Sequence, residues 1–206
     1  INNIRWFSPT TEVNLCGHAT LASGYVYFNF INQNDRKIIF SSASGNLAVE
    51  KKDAFLELDF PKDIFNEVDY INKVQDSIGV KPIKTCLGEI NLFAELESEA
   101  DVKNINPNFD KLINLDGQGL IVSSKSEDFD FVSRYFCPKY GIDEDPVTGS
   151  AHTTLIPYWA EKLDKTSMVA KQISNRGGVL YCTNLDNRVL IGGKAVLYMK
   201  GEIDIN

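Results

Sequence analysis

The 206 residues are 43% hydrophobic and 24% charged, a composition that excludes a disordered chain and suits one large core or two small domains. The formal net charge of -7, with no block of Lys or Arg, argues against a nucleic-acid backbone or an anionic membrane as partner. No apolar run approaches the ~20 residues that span a bilayer, and four widely spaced cysteines without a C-x-x-C pair predict free thiols in a reducing cytoplasm.

Two groups of short strands are predicted along the chain. In the first group, β-branched and aromatic residues cluster over 37–41, 46–50 and 54–60, with turn residues between them, which is typical of an antiparallel meander. The second group has the same character and comprises 90–96, 120–124, 129–136, 179–182, 188–191 and 194–199. Two antiparallel β units are the simplest account of this pattern.

Three helices are predicted between and within these groups. Apolar residues recur at helical spacing over 66–78 and Gly79 follows as a stop, which indicates an amphipathic surface helix. The segments 19–31 and 151–163 are apolar around most of their circumference, which predicts buried helices. Pro157 should kink the second of these helices or end its first turns.

The two apolar helices have similar openings. Residues 16–20 read Cys-Gly-His-Ala-Thr and residues 148–152 read Thr-Gly-Ser-Ala-His, and the two histidines of the chain lie in these segments. An ancient duplication with one central helix per β unit would leave such a repeat, although so short a match also arises by chance.

A helix that begins with Gly and small hydroxyl residues presents unpaired backbone N–H groups and its positive dipole end, which together form an anion site. Two such ends at Gly17 and Gly149, facing one cleft, would hold a small carboxylate. They would also stabilise the enolate-like charge formed when a proton leaves the neighbouring carbon. The alternative is that both glycines only allow tight turns into buried helices.

Several side chains near these openings could carry chemistry. His18 could be a general acid or base, or else a capping or core residue. Cys16 could be a nucleophile, but with no second cysteine in the other opening a small buried filler is the preferred interpretation. Asp145 could hold or relay a proton, and the alternative is a capping role in which its charge only suits the helix dipole. Ser150 could donate its hydroxyl to a carboxylate.

Other chemistries fit the sequence less well. There is no G-x-x-x-x-G-K-[ST] phosphate loop, no G-x-S-x-G elbow and no H-E-x-x-H pair. Two histidines cannot form a His-rich metal site, and His152 is expected to be a packing residue. We therefore expect a site without metal or coenzyme.

Two long motifs resemble the PhzF-like family, named for phenazine biosynthesis. Residues 5–22, RWFSPTTEVNLCGHATLA, look like its R-W-F-T-P-x-x-E-V-x-L-C-G-H-A-T-L-A signature, and residues 144–152, EDPVTGSAH, look like its E-D-P-V-T-G-S-A-H signature. Residues 172–178 and 188–196 resemble the closing strands of the family, so the likeness covers essentially the whole chain.

The resemblance implies the α+β fold of diaminopimelate-epimerase-like proteins. This fold has two similar domains, each a mostly antiparallel β sheet wrapped around a central α-helix, with the active site in the cleft between them. The expected domains are 1–78 and 79–194, with a C-terminal strand over about 195–206 returning to the first. A homodimer is expected from the family and from general frequency.

The resemblance also implies functional residues. In the best-understood member, which isomerises a dihydroxyanthranilate-type acid, the matching site positions are His18, Asp145 and Ser150, and the proton is moved by a glutamate upstream of the first signature. That glutamate would lie before this sequence starts, and Glu12 does not occupy its position, so the chain as given is expected to be inactive without it. The expected substrate contacts are Gly17, Ala19, Thr148 and Gly149.

The sequence therefore predicts a cofactor-independent isomerase that moves a proton on a small carboxylic acid. A single cysteine at the first helix start speaks against the two-cysteine racemisation of related epimerases. Two rivals remain: a non-catalytic small-acid-binding protein on the same fold, and a Cys-His hydrolase built on Cys16 and His18.

Overall fold

The computed structural model describes residues 2–7, 11–13, 15–202 and 204. Four residues of the first signature, Ser8, Pro9, Thr10 and Asn14, lie outside this range. The strands are β1 (Asn2–Asn3), β2 (Trp6–Phe7), β3 (Glu12–Val13), β4 (Lys37–Ser42), β5 (Gly45–Lys51), β6 (Leu56–Pro61), β7 (Phe65–Glu67), β8 (Lys84–Gly88), β9 (Leu92–Glu95), β10 (Leu120–Lys125), β11 (Phe131–Phe136), β12 (Ser167–Gln172), β13 (Gly178–Asn184) and β14 (Arg188–Gly193). The helices are α1 (Gly17–Val26), α2 (Ile71–Ile78), α3 (Glu99–Asn104), α4 (Phe109–Leu112) and α5 (Gly149–Leu163).

Twelve of the described strands form one sheet in the order β1-β4-β5-β6-β14-β13-β12-β11-β10-β9-β8-β7, while β2 and β3 pair separately. Most pairs are antiparallel, and the parallel ones are β1 with β4, β9 with β10, and β11 with β12. Helix α1 packs on β5 and β6, whereas α5 packs on β13 and β14. Each half of the sheet therefore carries one central helix, as the α+β prediction requires.

The strand that joins the two halves differs from the prediction. Residues 188–193 of β14 pair with β13 on one side and with β6 on the other. The predicted strand over about 195–206 is wrong for its described part, since residues 194–202 form no strand. Val196 and Tyr198 are 85% and 98% exposed, so this alternating segment has no packed face to stabilise it. The division into 1–78 and 79–194 stays a prediction.

The surface helix is shorter than its apolar spacing predicts. Residues 65–67 form β7, which pairs with β8, and the helix begins only at Ile71. Gly79 ends it with a left-handed φ of 75°, which confirms the predicted stop. Sheet pairing therefore overrides helical periodicity at the start of this segment.

Pro157 lies inside α5 without ending it, so of the two predicted effects the end of the first turns is wrong, while the kink stays a prediction. A proline removes the N–H that would bond the carbonyl four residues earlier, here that of Thr153. The N–H of Asp63 donates to this carbonyl at 3.2 Å instead, and the Asp63 carboxylate accepts from the Thr154 hydroxyl at 2.6 Å. The chain after β6 thus compensates the helix for its missing bond.

The two central helices are buried to different extents. Most residues of α5, including Leu155 and Trp159, are buried, as its apolar circumference predicts. Helix α1 buries one face and continues into a π-helical segment, Tyr27–Ile31. The opposite face is exposed at His18, Ala22, Val26 and Phe30. The prediction of a buried helix therefore holds for only one side of α1.

The two helices meet at their first residues. A Cβ added to Gly17 would lie 2.8 Å from the Cα of Gly149, and one added to Gly149 would lie 2.9 Å from the Cα of Gly17. The Phe60 ring packs against both positions, at 3.4 and 3.5 Å from the added carbons. Only glycine allows backbones to approach so closely, so these residues bring the two helix starts together.

We predict that Gly17→Ala and Gly149→Ala each lower the free energy of unfolding by about 1–3 kcal/mol, because the methyl group meets backbone that cannot rotate away. Denaturant titration of the purified variants measures this loss. Gly201→Ala is the matched control, since a Cβ there would meet nothing within 4 Å. Equal stabilities for all three variants would contradict the close contact.

Candidate functional site

The two helix starts form part of the wall of one cavity of about 590 Å³. Gly17, His18 and Gly149 line it, and apolar side chains such as Leu21 and Val147 supply much of the remaining surface. Of the described lining residues, none is an aspartate or glutamate. The cavity therefore suits a small anion with an apolar body better than a cation.

Neither helix start is capped by a side chain of its N-cap residue within the described chain. Cys16 and Thr148 occupy the N-cap positions, and neither side chain bonds a first-turn N–H group. The first turns of α1 and α5 also contain no acidic residue. Unpaired N–H groups and the positive dipole end of each helix are thus left for an anion.

His18 occupies the second position of α1 and is solvent exposed. The Cys16 Sγ atom lies 3.7 Å from Nε2 and 3.9 Å from Nδ1 of its ring. The pKa of His18 is raised, first by the hydrogen bond with Cys16 and further by the charges of Cys16 and Asp145 and a backbone hydrogen bond to Val147, against an opposing effect of desolvation. These interactions with Cys16, Asp145 and Val147 favour the imidazolium form more than an isolated histidine side chain would.

Asp145 is buried behind the start of α5 and is held by a polar network. The Thr148 hydroxyl donates to Asp145 Oδ2 at 2.5 Å. Gln172 Nε2 donates to the Asp145 carbonyl at 2.7 Å and to Thr148 Oγ1 at 3.1 Å, while Gln172 Oε1 accepts from the Thr148 N–H at 2.8 Å. The hydroxyl that could cap α5 is thus used on a carboxylate.

The remaining predicted residues lie around this centre without lining the cavity. Ser150 is half-buried in the first turn of α5, where its carbonyl accepts from the Thr153 hydroxyl at 2.7 Å. Ala19 is half-buried, and its carbonyl accepts from the Ser23 hydroxyl at 2.8 Å. The structure brings Gly17, His18 and Gly149 onto one wall and places Asp145, Thr148, Ser150 and Ala19 off it. Their functional roles stay predictions.

Glu144, the acid next to Asp145, has a structural partner. Its carboxylate accepts two hydrogen bonds from Arg134, at 2.8 and 3.0 Å. The same guanidinium also donates to carbonyls at the end of α3, including Ile105 at 3.1 Å. This bidentate pair anchors the loop that carries Asp145. Arg134 and Gln172 lie on β strands, and no sequence spacing links them to this loop.

His152 has the opposite environment from His18. It is buried, and its Nδ1 lies 2.8 Å from the Thr148 carbonyl. Desolvation lowers its pKa from 6.5 to about 4, against a small opposing effect of that hydrogen bond. Nε2 has no hydrogen-bond partner among the described residues. The ring is therefore neutral at pH 7 and packs beside Phe131, as expected from the sequence.

No group of His, Cys, Asp and Glu with a metal-binding arrangement occurs in the described ranges. Within the same ranges, every helix is too short or too polar to cross a membrane.

The burial of His152 predicts a pH effect on stability. Between about pH 6.5 and about pH 4 the unfolded chain binds a proton at this residue and the folded chain does not, so stability falls as the pH is lowered through this window. The effect amounts to about 1.4 kcal/mol per pH unit at most. Denaturant titrations across this window should show a shallower fall in His152→Gln than in the wild type.

His18 serves as the control of opposite sign. Its raised pKa means that the folded chain holds the proton more tightly, so its stabilising contribution is present below pH 6.5 and is lost as the pH rises through the raised value. His18→Gln should therefore change the pH dependence near and above neutrality. A parallel pH dependence in both variants and the wild type would contradict the two assignments.

The neighbours of His18 predict how its titration responds to substitution. Asp145→Asn and Cys16→Ala should each lower the pKa of His18, because each removes an interaction that favours the imidazolium, and Cys16→Ala should have the larger effect. NMR titration of the imidazole resonances measures the shift, since the chain has only two histidines. Asp143→Asn, an exposed acid in the same loop, is the control. An unchanged pKa of His18 in Asp145→Asn would show that the charge of Asp145 does not act on His18, and it would contradict this prediction.

The comparisons with known proteins identify the family. The family model described as phenazine biosynthesis-like protein matches residues 2–201. A Pseudomonas aeruginosa protein named an uncharacterized isomerase is 44% identical over 203 residues, which are 98% of this chain and 78% of that protein. The crystal structure of a PhzF-family phenazine biosynthesis protein from Enterococcus faecalis is 45% identical, with a TM-score of 0.93 over 98% of this chain and 78% of that chain.

A more distant structure shows the wider fold alone. A hydroxyproline epimerase from Agrobacterium vitis is 10% identical, with a TM-score of 0.60 over 95% of this chain and 68% of that chain. The predicted family and fold class are thus confirmed: the chain belongs to the PhzF family of phenazine biosynthesis-like proteins.

Proposed function

We propose that this protein is a cofactor-independent isomerase that moves a proton on a small carboxylic acid bound at the paired starts of α1 and α5. The observation that carries the proposal is the backbone contact of Gly17 with Gly149, which places two helix starts without a side-chain cap on the wall of one cavity. The isomerase name of a 44% identical relative supports the reaction class.

In the proposed reaction the first-turn N–H groups of both helices hold the substrate carboxylate. A base removes the proton from the carbon beside the carboxyl group, and the electron pair moves into the carboxylate to give an enolate-like intermediate. The same N–H groups stabilise the added charge. The PhzF resemblance assigns the role of the base to a glutamate.

His18 completes the shift as general acid. Its protonated ring donates a proton to a carbon of the delocalised intermediate, the double bond moves, and the base returns its proton to His18 through solvent or substrate. The charge of Asp145 helps to keep the ring protonated before this step. The whole reaction is redox neutral, so it needs no electron acceptor.

The cavity wall suggests the substrate class. Leu21, Leu58, Val147, Val179 and Ile191 supply apolar surface, and Lys194 adds a positive charge. A small unsaturated or cyclic acid would place its carboxylate at the helix ends and its hydrocarbon part on this surface.

The proposed function predicts solvent deuterium incorporation. Full-length protein in D₂O, incubated with small unsaturated and cyclic carboxylic acids including a dihydroxyanthranilate-type acid, should label at least one of them at carbon. His18→Gln should slow this labelling by about 100-fold or more, and Asp145→Asn should slow it less. Mass spectrometry and proton NMR of the recovered acids measure the exchange.

Asp143→Asn, an exposed loop acid, is the control and should label the acid at the wild-type rate. Labelling that persists unchanged in a His18→Gln, Asp145→Asn double variant would refute the assigned roles. Binding of these acids without labelling would favour a non-catalytic small-acid-binding protein.

The contact between Cys16 Sγ and the His18 ring, at 3.7 Å, favours one second candidate, a thiol hydrolase. In that case iodoacetamide would abolish hydrolysis of p-nitrophenyl acetate by the wild type but would not affect Cys16→Ala. The isomerase proposal expects no ester turnover that depends on Cys16.

A further inference from the structure

Gln172, at the end of β12, is fully buried, and its side-chain amide is bonded at both ends. Oε1 accepts from the Thr148 N–H at 2.8 Å, and Nε2 donates to the Asp145 carbonyl at 2.7 Å and to Thr148 Oγ1 at 3.1 Å. A reversed amide would place donor against donor and acceptor against acceptor, so these partners fix its orientation.

This orientation also fixes the hydroxyl of Thr148. Because Oγ1 accepts a hydrogen from Gln172, its own hydrogen is available for Asp145 Oδ2, which lies 2.5 Å away. The bonds therefore run in one direction, from the amide through the hydroxyl to the carboxylate. Each donor in this series of hydrogen bonds stabilises the negative charge of the Asp145 carboxylate at its end.

Thr148 is held at every backbone polar group as well. Its N–H donates to Gln172. Its carbonyl accepts from His152 Nδ1 at 2.8 Å, so Nδ1 is the nitrogen that carries the hydrogen of this neutral ring. All of these side chains are buried, and a buried polar group that loses its partner costs about 1–3 kcal/mol. Such a network permits few arrangements of the Asp145 carboxylate.

From this geometry we infer that Gln172 is a positioning residue, which acts through the Thr148 hydroxyl to hold the Asp145 carboxylate in one place behind the start of α5. Gln172 does not line the cavity, so it has no direct contact with a bound acid there. Its consequence for catalysis rests on the proposed function, whereas the hydrogen-bond chain is measurable without any substrate.

The test is a double-mutant cycle read out by the NMR titration of His18 in substrate-free, full-length protein. Gln172→Met keeps the length of the side chain and removes the amide. We expect it to lower the pKa of His18, because the Asp145 charge favours the imidazolium and a carboxylate without its ordered donor is no longer held where it acts on the ring. Cys16, the other titratable group that influences His18, is unchanged in every variant.

In the Asp145→Asn background, Gln172→Met should cause no further fall in the pKa of His18, because the charge that Gln172 positions is already absent. Equal shifts in both backgrounds would mean a general structural effect and would overturn the inference. An unchanged His18 titration in the single Gln172→Met variant would overturn it as well.

A second pair of variants decides the matter if Gln172→Met does not fold. Thr148→Val removes the hydroxyl with almost no change of shape, and Thr148→Ser retains it. The valine variant should lower the pKa of His18 and the serine variant should restore it. Identical titrations in these two variants would show that the hydroxyl does not hold the carboxylate.

Catalysis supplies an independent readout. With an acid that the wild type labels, Gln172→Met should reduce the maximal rate of deuterium labelling by about 10- to 100-fold and leave the half-saturating concentration nearly unchanged. A change confined to the half-saturating concentration would contradict a positioning role. If the wild type labels no acid, the proposed function fails, while the NMR cycle still decides the role of Gln172.

Discussion

The contact between the backbones of Gly17 and Gly149 is the constraint on which the rest of the site depends. A side chain at either position would force the two helices apart, since an added carbon at Gly17 lies 2.8 Å from the opposite Cα. The pairing of β6 with β14 joins the two halves of the sheet. Phe60, near the end of β6, packs against both glycines. The cavity beside them follows from this contact.

The start of α5 has no side-chain cap although suitable capping groups lie beside it. Thr148 is an N-cap residue of a favoured type, yet its hydroxyl donates to Asp145 and does not accept from α5. Glu144 is paired with Arg134 and is therefore unavailable to the helix. Capping would add stability to each helix, but it would also occupy the N–H groups that an anion needs. Helix ends that lack a stabilising cap are expected at functional sites.

The two histidines show how similar openings lead to different chemistry. His18 is the second residue of its helix and faces solvent at the cavity, whereas His152 is the fourth residue of its helix and lies in the core. One site raises the pKa of its histidine and the other lowers it. Their different positions in the first turn, rather than their residue type, decide which of them can reach a ligand.

The sequence by itself determined the family, the α+β class, most strands, the two central helices and the two glycine-led starts, because these depend on local periodicity and on long motifs. It could not determine what depends on pairing between distant segments. Examples are β14 as the joining strand, the compensation of Pro157 by Asp63, and Gln172 beneath Asp145. Such contacts arise only when the sheet brings remote residues together, and no spacing along the chain encodes them.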